Sequence, residues 1–302
     1  MKTNKYISMM LLAVAAFFWG FAFVAQDLVS DIQPMSIGFA RWFIGALFLI
    51  VVIPIMDKSS KNGRTLVSKK GFDFTKHELL GGIITGSILT VASVVQQMGI
   101  NLGTSGGKAA FITALYVVLV PIYALFLKKR AKINVWIAVL IAVVGFYLLC
   151  IKQNEGIVAS DIWVILSAAI YPIHILAIDH FAPKCDCIRM SCVQFSVAFV
   201  LNFVGALIFE SPISWGEIFM HIIPFLYLGI FSSGISYTLQ MVGQRNVNPT
   251  VASLILSLES VFGLVGSVMI LGDSLQLKEY IGAGLIFLAV ILSQVELKKG
   301  RG

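Results

Sequence analysis

Apolar residues run along this chain in long unbroken blocks, with neither the alternation of a half-buried strand nor the one-sided stripe of a surface helix. Ten blocks occupy approximately residues 6–26, 34–54, 78–99, 105–127, 133–151, 161–178, 189–209, 218–242, 249–271 and 278–297. Each approaches or reaches the ~20 residues that an α-helix needs to cross a bilayer. Numbered as segments 1 to 10, they predict an all-α integral membrane protein with ten transmembrane helices. The connections are short, the longest running from Asp57 to His77, and they leave no length for a soluble domain. Segment 1 follows Lys2 and Lys5 as a signal peptide would. It is too long for such a peptide's apolar region, and Trp19-Gly20-Phe21 is a poor cleavage site, so it is expected to remain as the first helix.

Composition agrees and removes other classes. Of 302 residues, 58% are hydrophobic and 12% charged, against about 25% charged in a soluble domain. Mean hydropathy is +0.93. Four cysteines, eight prolines and 26 glycines exclude a disulfide scaffold and a collagenous fibre. The net charge of +7 would suggest an acidic partner if the basic residues were clustered. They are instead distributed by side: with the N-terminus inside, eighteen of the 22 lie in cytoplasmic segments. Lys108, Lys152 and Lys278 face the other way, and Arg41 lies within segment 2. Positive charge flanking membrane helices is retained in the cytoplasm. The prediction is a multi-pass protein of the cell membrane with both termini cytoplasmic. No aromatic residues interleave the basic ones as a nucleic-acid groove requires, so the expected partners are the lipid bilayer and a small-molecule substrate. Nothing points to nucleic acid or to an obligate protein partner.

An internal repeat refines the architecture. At an offset of 143, Gln97-Met98 falls on Gln240-Met241, Ala109 on Ala252, Ile112 on Ile255 and Leu115 on Leu258. Segments 3, 4 and 5 then superimpose on 8, 9 and 10 without insertion. Two consecutive copies of a five-helix unit enter the membrane in opposite senses, which predicts inverted repeats at 1–152 and 153–302. Secondary transporters use this arrangement and hold substrate near the midplane between the repeats.

Polar residues inside membrane helices are costly and tend to face a cavity or another helix. Segment 3 carries Thr90, Ser93, Gln97 and Asn101 on one face, and segment 8 carries Ser233, Tyr237, Gln240 and Gln244. Thr113, Tyr116 and Tyr123 mark a face of segment 4. Ser167, Tyr171 and His174 mark segment 6, and Trp19, Phe23 and Gln26 mark segment 1. Segments 2, 5 and 10 are comparatively blank, and segment 7, with Gln194 and Asn202, is intermediate. Such residues can simply bond helix to helix. Their concentration on paired segments instead suggests segments 1, 3, 4, 6, 8 and 9 around a polar cavity.

Glu259 is the one carboxylate deep inside an apolar segment, about 14 Å along segment 9 at 1.5 Å per residue. It reads as a proton carrier, as a ligand for a substrate amine, or as a structural carboxyl bonded to a neighbouring helix. Arg41 is expected to snorkel to the interface or to pair with Asp27 or Asp31. Lys108 is expected among the headgroups, with attraction of an anionic substrate group as the alternative. Cys185 and Cys187 with His174, Asp179 and His180 lack the spacing of a zinc site, and no phosphate loop, Ser-His-Asp set or His-Glu-x-x-His helix occurs. No catalytic, metal or cofactor site is therefore expected. Pro121, Pro172 and Pro224 fall where they can kink a membrane helix, whereas Pro34 and Pro249 occupy first-turn positions.

Four stretches resemble one known family. Phe18-Trp19-Gly20-Phe21, Phe39-Ala40-Arg41-Trp42, the run Ala110 to Pro121, and Leu256-Ser257-Leu258-Glu259-Ser260-Val261-Phe262 followed by Leu271-Gly272-Asp273 are similar to the EamA-type branch of the drug/metabolite transporter superfamily. The likeness covers essentially the whole chain. It departs at Ser260, where the family usually has proline, and at Asp273, where it has glutamate; Arg130 holds that acidic position in the first repeat. The resemblance implies a non-enzymatic secondary carrier, commonly an exporter of amino acids or related metabolites, with some members carrying riboflavin-like vitamins or nucleotide-linked compounds. It implies a cavity lined by helices 1, 3, 4, 6, 8 and 9, as the polar faces also suggest. Trp19, Gln97, Thr113, Tyr116, Tyr171, Tyr237 and Gln240 are then the expected substrate-binding residues, with Glu259 a candidate for proton coupling. A membrane enzyme acting on lipid is the alternative of another class, and only region 174–187 offers it chemistry.

Overall fold

A computed structural model describes residues 4–59, 71–129, 131–150, 158–272 and 276–294. Among the described residues every regular element is helical. Eight helices are long and apolar enough to cross a membrane: α1 (Lys5–Asp27), α2 (Pro34–Lys58), α3 (Lys76–Asn101), α4 (Gly106–Phe126), α6 (Ala159–Lys184), α7 (Cys187–Phe209), α8 (Ile222–Gln244) and α9 (Pro249–Ile270). Two apolar helices of 18 residues complete the set, α5 (Ile133–Cys150) and α10 (Leu277–Gln294). The apolar run expected to begin near 218 starts in a short separate helix, Trp215–Met220, and α8 follows only after the turn at His221. Asp273, Arg130 and Lys152 lie outside the described residues.

The first amides of a helix have no intrahelical acceptor, and lipid supplies none. Local side chains accept from them here. Thr75 and Glu78 form a reciprocal capping box at α3, with bonds of 3.3 and 2.7 Å. Asp161 accepts from Val158 N at 2.9 Å ahead of α6, and Glu279 accepts from Gln276 N at 2.6 Å ahead of α10. Asp186 accepts from two amides of α7. Asn248 caps α9 with Pro249 in the first position, where the missing N–H costs nothing.

Packing follows a pattern that survives exchanging α1–α5 for α6–α10. α5 packs on α10 and α2 on α7, α3 lies against α6 and α7, and α8 lies against α1 and α2. Details recur at the offset of 143. α3 ends at Asn101 and α8 at Gln244, while α4 begins at Gly106 and α9 at Pro249. Both of the latter are interrupted, α4 at Leu115 and α9 at Ser257 and Leu258. Leu115 N donates to Ile112 O, and Leu258 N to Ile255 O, each at 3.2 Å. Gly86 of α3 admits Gln194 and Val197 of α7; a Cβ there would lie 2.6 Å from Gln194 O and 3.0 Å from the Val197 Cβ. Its counterpart Gly229 admits Arg41 and Ile44 of α2. One offset, 153, relates Arg41 to Gln194 and Ile44 to Val197. Trp42 and Phe195, also 153 apart, stack on each other with centroids at 5.6 Å.

The apolar core is divided among these contacts. α5 and α10 pack Phe146, Ile286 and Ala289 against Val117 and Leu254, in a layer beside α4 and α9. Ion pairs tie α4 to α6 at both ends. Lys108 meets the fully buried Asp161 at 2.6 Å, and Lys129 pairs with Asp179. Lys108 is thus anchored in protein, contrary to the headgroup placement expected from its position. The cause is Asp161, whose other oxygen accepts from Thr104 Oγ1 at 2.9 Å and which needs a cation to offset its burial.

Candidate functional site

A partly open cavity of about 480 Å³, its mouth included, lies within the bundle. Trp19, Phe23 and Gln26 of α1, Gln96 of α3, and Thr113 and Tyr116 of α4 form one part of its wall. Tyr171 and His174 of α6, Ser232, Tyr237 and Gln240 of α8, and Glu259 of α9 form another, and α2 contributes Arg41. Trp19, Thr113, Tyr116, Tyr171, Tyr237, Gln240 and Glu259 therefore meet at one place. Gln97 does not. It accepts from Gln26 Nε2 at 3.0 Å and donates to Asn101 Oδ1 at 2.9 Å, so it fastens α3 to α1. Its neighbour Gln96, turned about 100° around the helix, reaches the cavity and donates to Thr113 Oγ1 at 2.8 Å.

The two helix interruptions place the cavity's most exceptional groups. Tyr116 is the first residue of α4 after its break, and Glu259 the first of α9 after its own. Gly20 allows α1 to press against that turn: a Cβ there would lie 2.6 Å from Gly263 N and 2.7 Å from Glu259 O. Ser260 donates to Ala110 O at 3.1 Å and bridges α9 to α4. Tyr116 Oη, Gln240 Oε1 and Glu259 Oε1 are buried without an aligned hydrogen-bond partner. Leaving a buried polar atom unpaired costs about 1–3 kcal/mol. All three belong to residues of the cavity wall, and the Tyr116 hydroxyl and the Glu259 carboxyl stand within reach of each other.

Aromatic faces supply its apolar wall. The Tyr237 ring lies 4.7 Å from Trp19 and 5.7 Å from His174, centroid to centroid, and backs onto Trp42 and Phe195 at 5.9 Å each. Tyr171 donates to Gln96 Oε1 at 3.4 Å, and Gln26 to the same oxygen at 3.3 Å.

Arg41 neither snorkels nor pairs with Asp27 or Asp31. It is buried, its Nε donates to Ser233 Oγ at 3.0 Å, and its Nη2 donates to Ser232 Oγ at 2.8 Å. Its guanidinium also lies 4.6 Å from the Trp42 ring centroid. The cause is in α8. Residues Tyr227–Ile235 adopt the wider π-helix, in which Ser233 Oγ donates five residues back to Leu228 O at 2.7 Å. That winding presents adjacent serines to α2, and Trp19 Nε1 holds Ser232 O at 2.9 Å. π-segments inside α-helices are frequent at functional sites.

Sequence reading passes over Gln26, Arg41, Gln96, His174 and Ser232 as cavity residues. Gln26 and His174 carried a signal, since both stood on marked faces. The lipid-chemistry region disperses: His174 meets Gln194 Oε1 at 3.1 Å, Asp179 pairs with Lys129, and His180 meets Lys184 at 3.0 Å. Cys185 and Cys187 are buried, and among the described residues no three His, Cys, Asp or Glu side chains gather as metal ligands.

Comparison with known proteins decides the family. The EamA-like transporter family matches this chain twice, over residues 6–151 and 158–294. The chain belongs to the EamA-like transporter family, within the drug/metabolite transporter superfamily. An uncharacterized transporter of Archaeoglobus fulgidus is 28% identical over 284 residues, 93% of this chain and 83% of that protein. Another, of Clostridium kluyveri, is 19% identical over 274 residues, 88% of this chain and 85% of that protein. A solved crystal structure superposes with a TM-score of 0.76 at 15% identity, covering 96% of this chain and 97% of the other. At that identity the likeness establishes the fold. This EamA-like protein is thus a multi-pass membrane transporter, and its cavity is the natural place to seek its substrate.

Proposed function

We propose that this EamA-like protein is a secondary active carrier that moves a small organic metabolite by alternating access. The observation that carries this reading is the cavity between the helices, where the rings of Trp19, Tyr171 and Tyr237 meet the polar side chains of Gln96, Thr113, Tyr116, Gln240 and Glu259. In the proposal α5 and α10 also cross the membrane, which gives ten crossings with both termini cytoplasmic in the cell membrane. The inverted repeats 1–152 and 153–302 rock about the cavity. The family's double match and the recurrence of helix ends, breaks and glycine contacts at fixed offsets support the repeat. Tyr237, Trp19 and Tyr171 enclose the apolar part of the substrate, and Gln96, Gln240, Thr113 and Tyr116 bond its polar part. Resemblance to exporters favours an amino acid or related compound moved outward, with a riboflavin-like vitamin or nucleotide-linked compound as the second choice. Counterflow in proteoliposomes tests the reading. Tyr237→Ala combined with Gln240→Ala is expected to abolish exchange of a substrate that the wild type exchanges. Retention of wild-type exchange would remove the cavity from the mechanism.

Glu259 is assigned the coupling proton. It is the carboxylate on the cavity wall, one of its oxygens is unpartnered, and Tyr116 stands beside it at the matching position of the other repeat. Glu259→Gln is expected to preserve counterflow, which needs no driving ion, and to abolish accumulation driven by a pH gradient. Preservation of both would make the carboxyl structural.

A further inference from the structure

We propose that Arg41 binds an oxyanion, a carboxylate or a phosphate, on the transported molecule; this rests on the carrier reading above and deepens it. Arg41 is only 6% exposed and lines the cavity, so its charge lies inside the bundle. A charge buried in a membrane protein needs an opposite charge or a full set of hydrogen bonds. Arg41 has neither. Among the described residues its acceptors are the hydroxyls of Ser232 and Ser233, which are neutral, and Nη1 has no acceptor at all. Glu259 shares the cavity but forms no ion pair with it.

A structural pin between α2 and α8 would use the two serine bonds and gain nothing from a free fork. The surroundings instead fix the guanidinium as a receptor. Ser233 is held by Leu228 O, Ser232 by the Trp19 indole, and the Trp42 ring supports the guanidinium. Guanidinium groups recognise carboxylates and phosphates through charge-assisted bonds, about twice as strong as neutral ones. The neighbouring Tyr237 and Trp19 rings suit a ring or chain attached to that oxyanion. The missing counter-charge is what such a substrate would bring.

The repeat sharpens the assignment. Gln194 stands in α7 where Arg41 stands in α2, each beside the corresponding glycine of α3 or α8. Those contacts are made by the backbone of Arg41 and of Gln194 and by the side chains of Ile44 and Val197, so it is not the guanidinium that closes the helices on each other.

Matched pairs differing in the charged group provide the test. Thermal unfolding of the purified full-length protein in detergent is followed with 3-phenylpropionate against 3-phenylpropionamide, and with phenyl phosphate against phenol. At least one anion is expected to raise the melting temperature with a half-maximal concentration roughly tenfold below that of its neutral partner, the scale of one charge-assisted hydrogen bond. Arg41→Gln should erase that difference, and Arg41→Lys should reduce it. Equal shifts within both pairs, no anion-dependent shift in the wild type, or a difference that survives Arg41→Gln would each overturn the proposal. The wild-type comparison decides the matter even if the variants do not fold. Which pair discriminates tells carboxylate from phosphate. Counterflow of the binding anion reports separately on the carrier: binding without exchange would remove that reading and leave the anion site. Exchange indifferent to Arg41→Gln would do the reverse.

Discussion

Gln96 and Gln97 are adjacent amides of similar burial, and their surroundings give them different work. Gln96 lines the cavity while bonded to Thr113, Tyr171 and Gln26, whereas Gln97 is bonded to Gln26 and Asn101 and does not reach it. Gln96→Ala is expected to raise the substrate concentration for half-maximal transport roughly fivefold, the loss of about one hydrogen bond worth 1 kcal/mol. Gln97→Ala should leave that concentration unchanged and lower stability by about 1–3 kcal/mol, because it strands the buried polar atoms of its partners. Gln96→Ala strands Thr113, Tyr171 and Gln26 and is expected to lower stability by a similar amount, so the concentration dependence of transport separates the two; a transport defect confined to Gln97→Ala would reverse the assignment. Helical spacing grouped Gln97 with Thr90, Ser93 and Asn101 and so identified a polar face. It could not say whether that face meets a cavity or another helix, since both satisfy polar atoms. Arg41 was less legible still. Its partners lie more than 190 positions away in sequence, in a segment whose winding departs from the α-helix.

Helices were easier to read than their defects. The expected 105–127 compares with Gly106–Phe126, and 249–271 with Pro249–Ile270, because proline, asparagine and glycine mark these ends. The breaks at Leu115 and at Ser257 and Leu258 contain neither proline nor glycine to mark them, and the serines of the π-segment of α8 read as a polar face and not as a change of winding. Proline is not their common cause: α9 is interrupted with no proline after Pro249, and α6 runs on through Pro172. The break in α9 is instead matched by the close approach of α1 at Gly20. A methyl group there would collide with the Phe262 Cβ and with the backbone of Gly263 and Glu259, none of them the far end of a flexible side chain. Gly20→Ala is therefore expected to destabilise the protein by roughly 1–3 kcal/mol, the usual range for overpacking, and to weaken transport by moving Glu259. Gly107→Ala, where a Cβ would meet nothing within 4 Å, should be neutral or slightly stabilising. Thermal unfolding of the two variants side by side checks this, and equal melting temperatures would mean that α1 and α9 are not held at that separation.

At the scale of the whole molecule, the distribution of charge and the repetition of structure make one joint statement. In the proposed orientation the end of α8 and the start of α9, beside Arg245, face the cytoplasm, and the proposed repeat relates that corner to the connection between α3 and α4, which carries few charges. Leu102 and Arg245 are counterparts at the offset of 143; each follows the last residue of its helix, and both are exposed. If the halves are inverted, two positions equivalent in fold must lie on opposite faces of the membrane. If they are parallel, the same two must share a face. Cysteine introduced singly at each position, in a background lacking the four native cysteines, can be labelled with a membrane-impermeant maleimide. Leu102→Cys is expected to react only in right-side-out vesicles and Arg245→Cys only in inside-out ones. Reaction of both from one side would break the inverted repeat, and with it the rocking of two opposed halves about the cavity. Exchange of the two sides would keep the repeat and reverse the termini, so that the basic connections would face outward against the rule that positive charge stays inside. One labelling pair thus separates the symmetry of the fold from its orientation, which the sequence alone ties together.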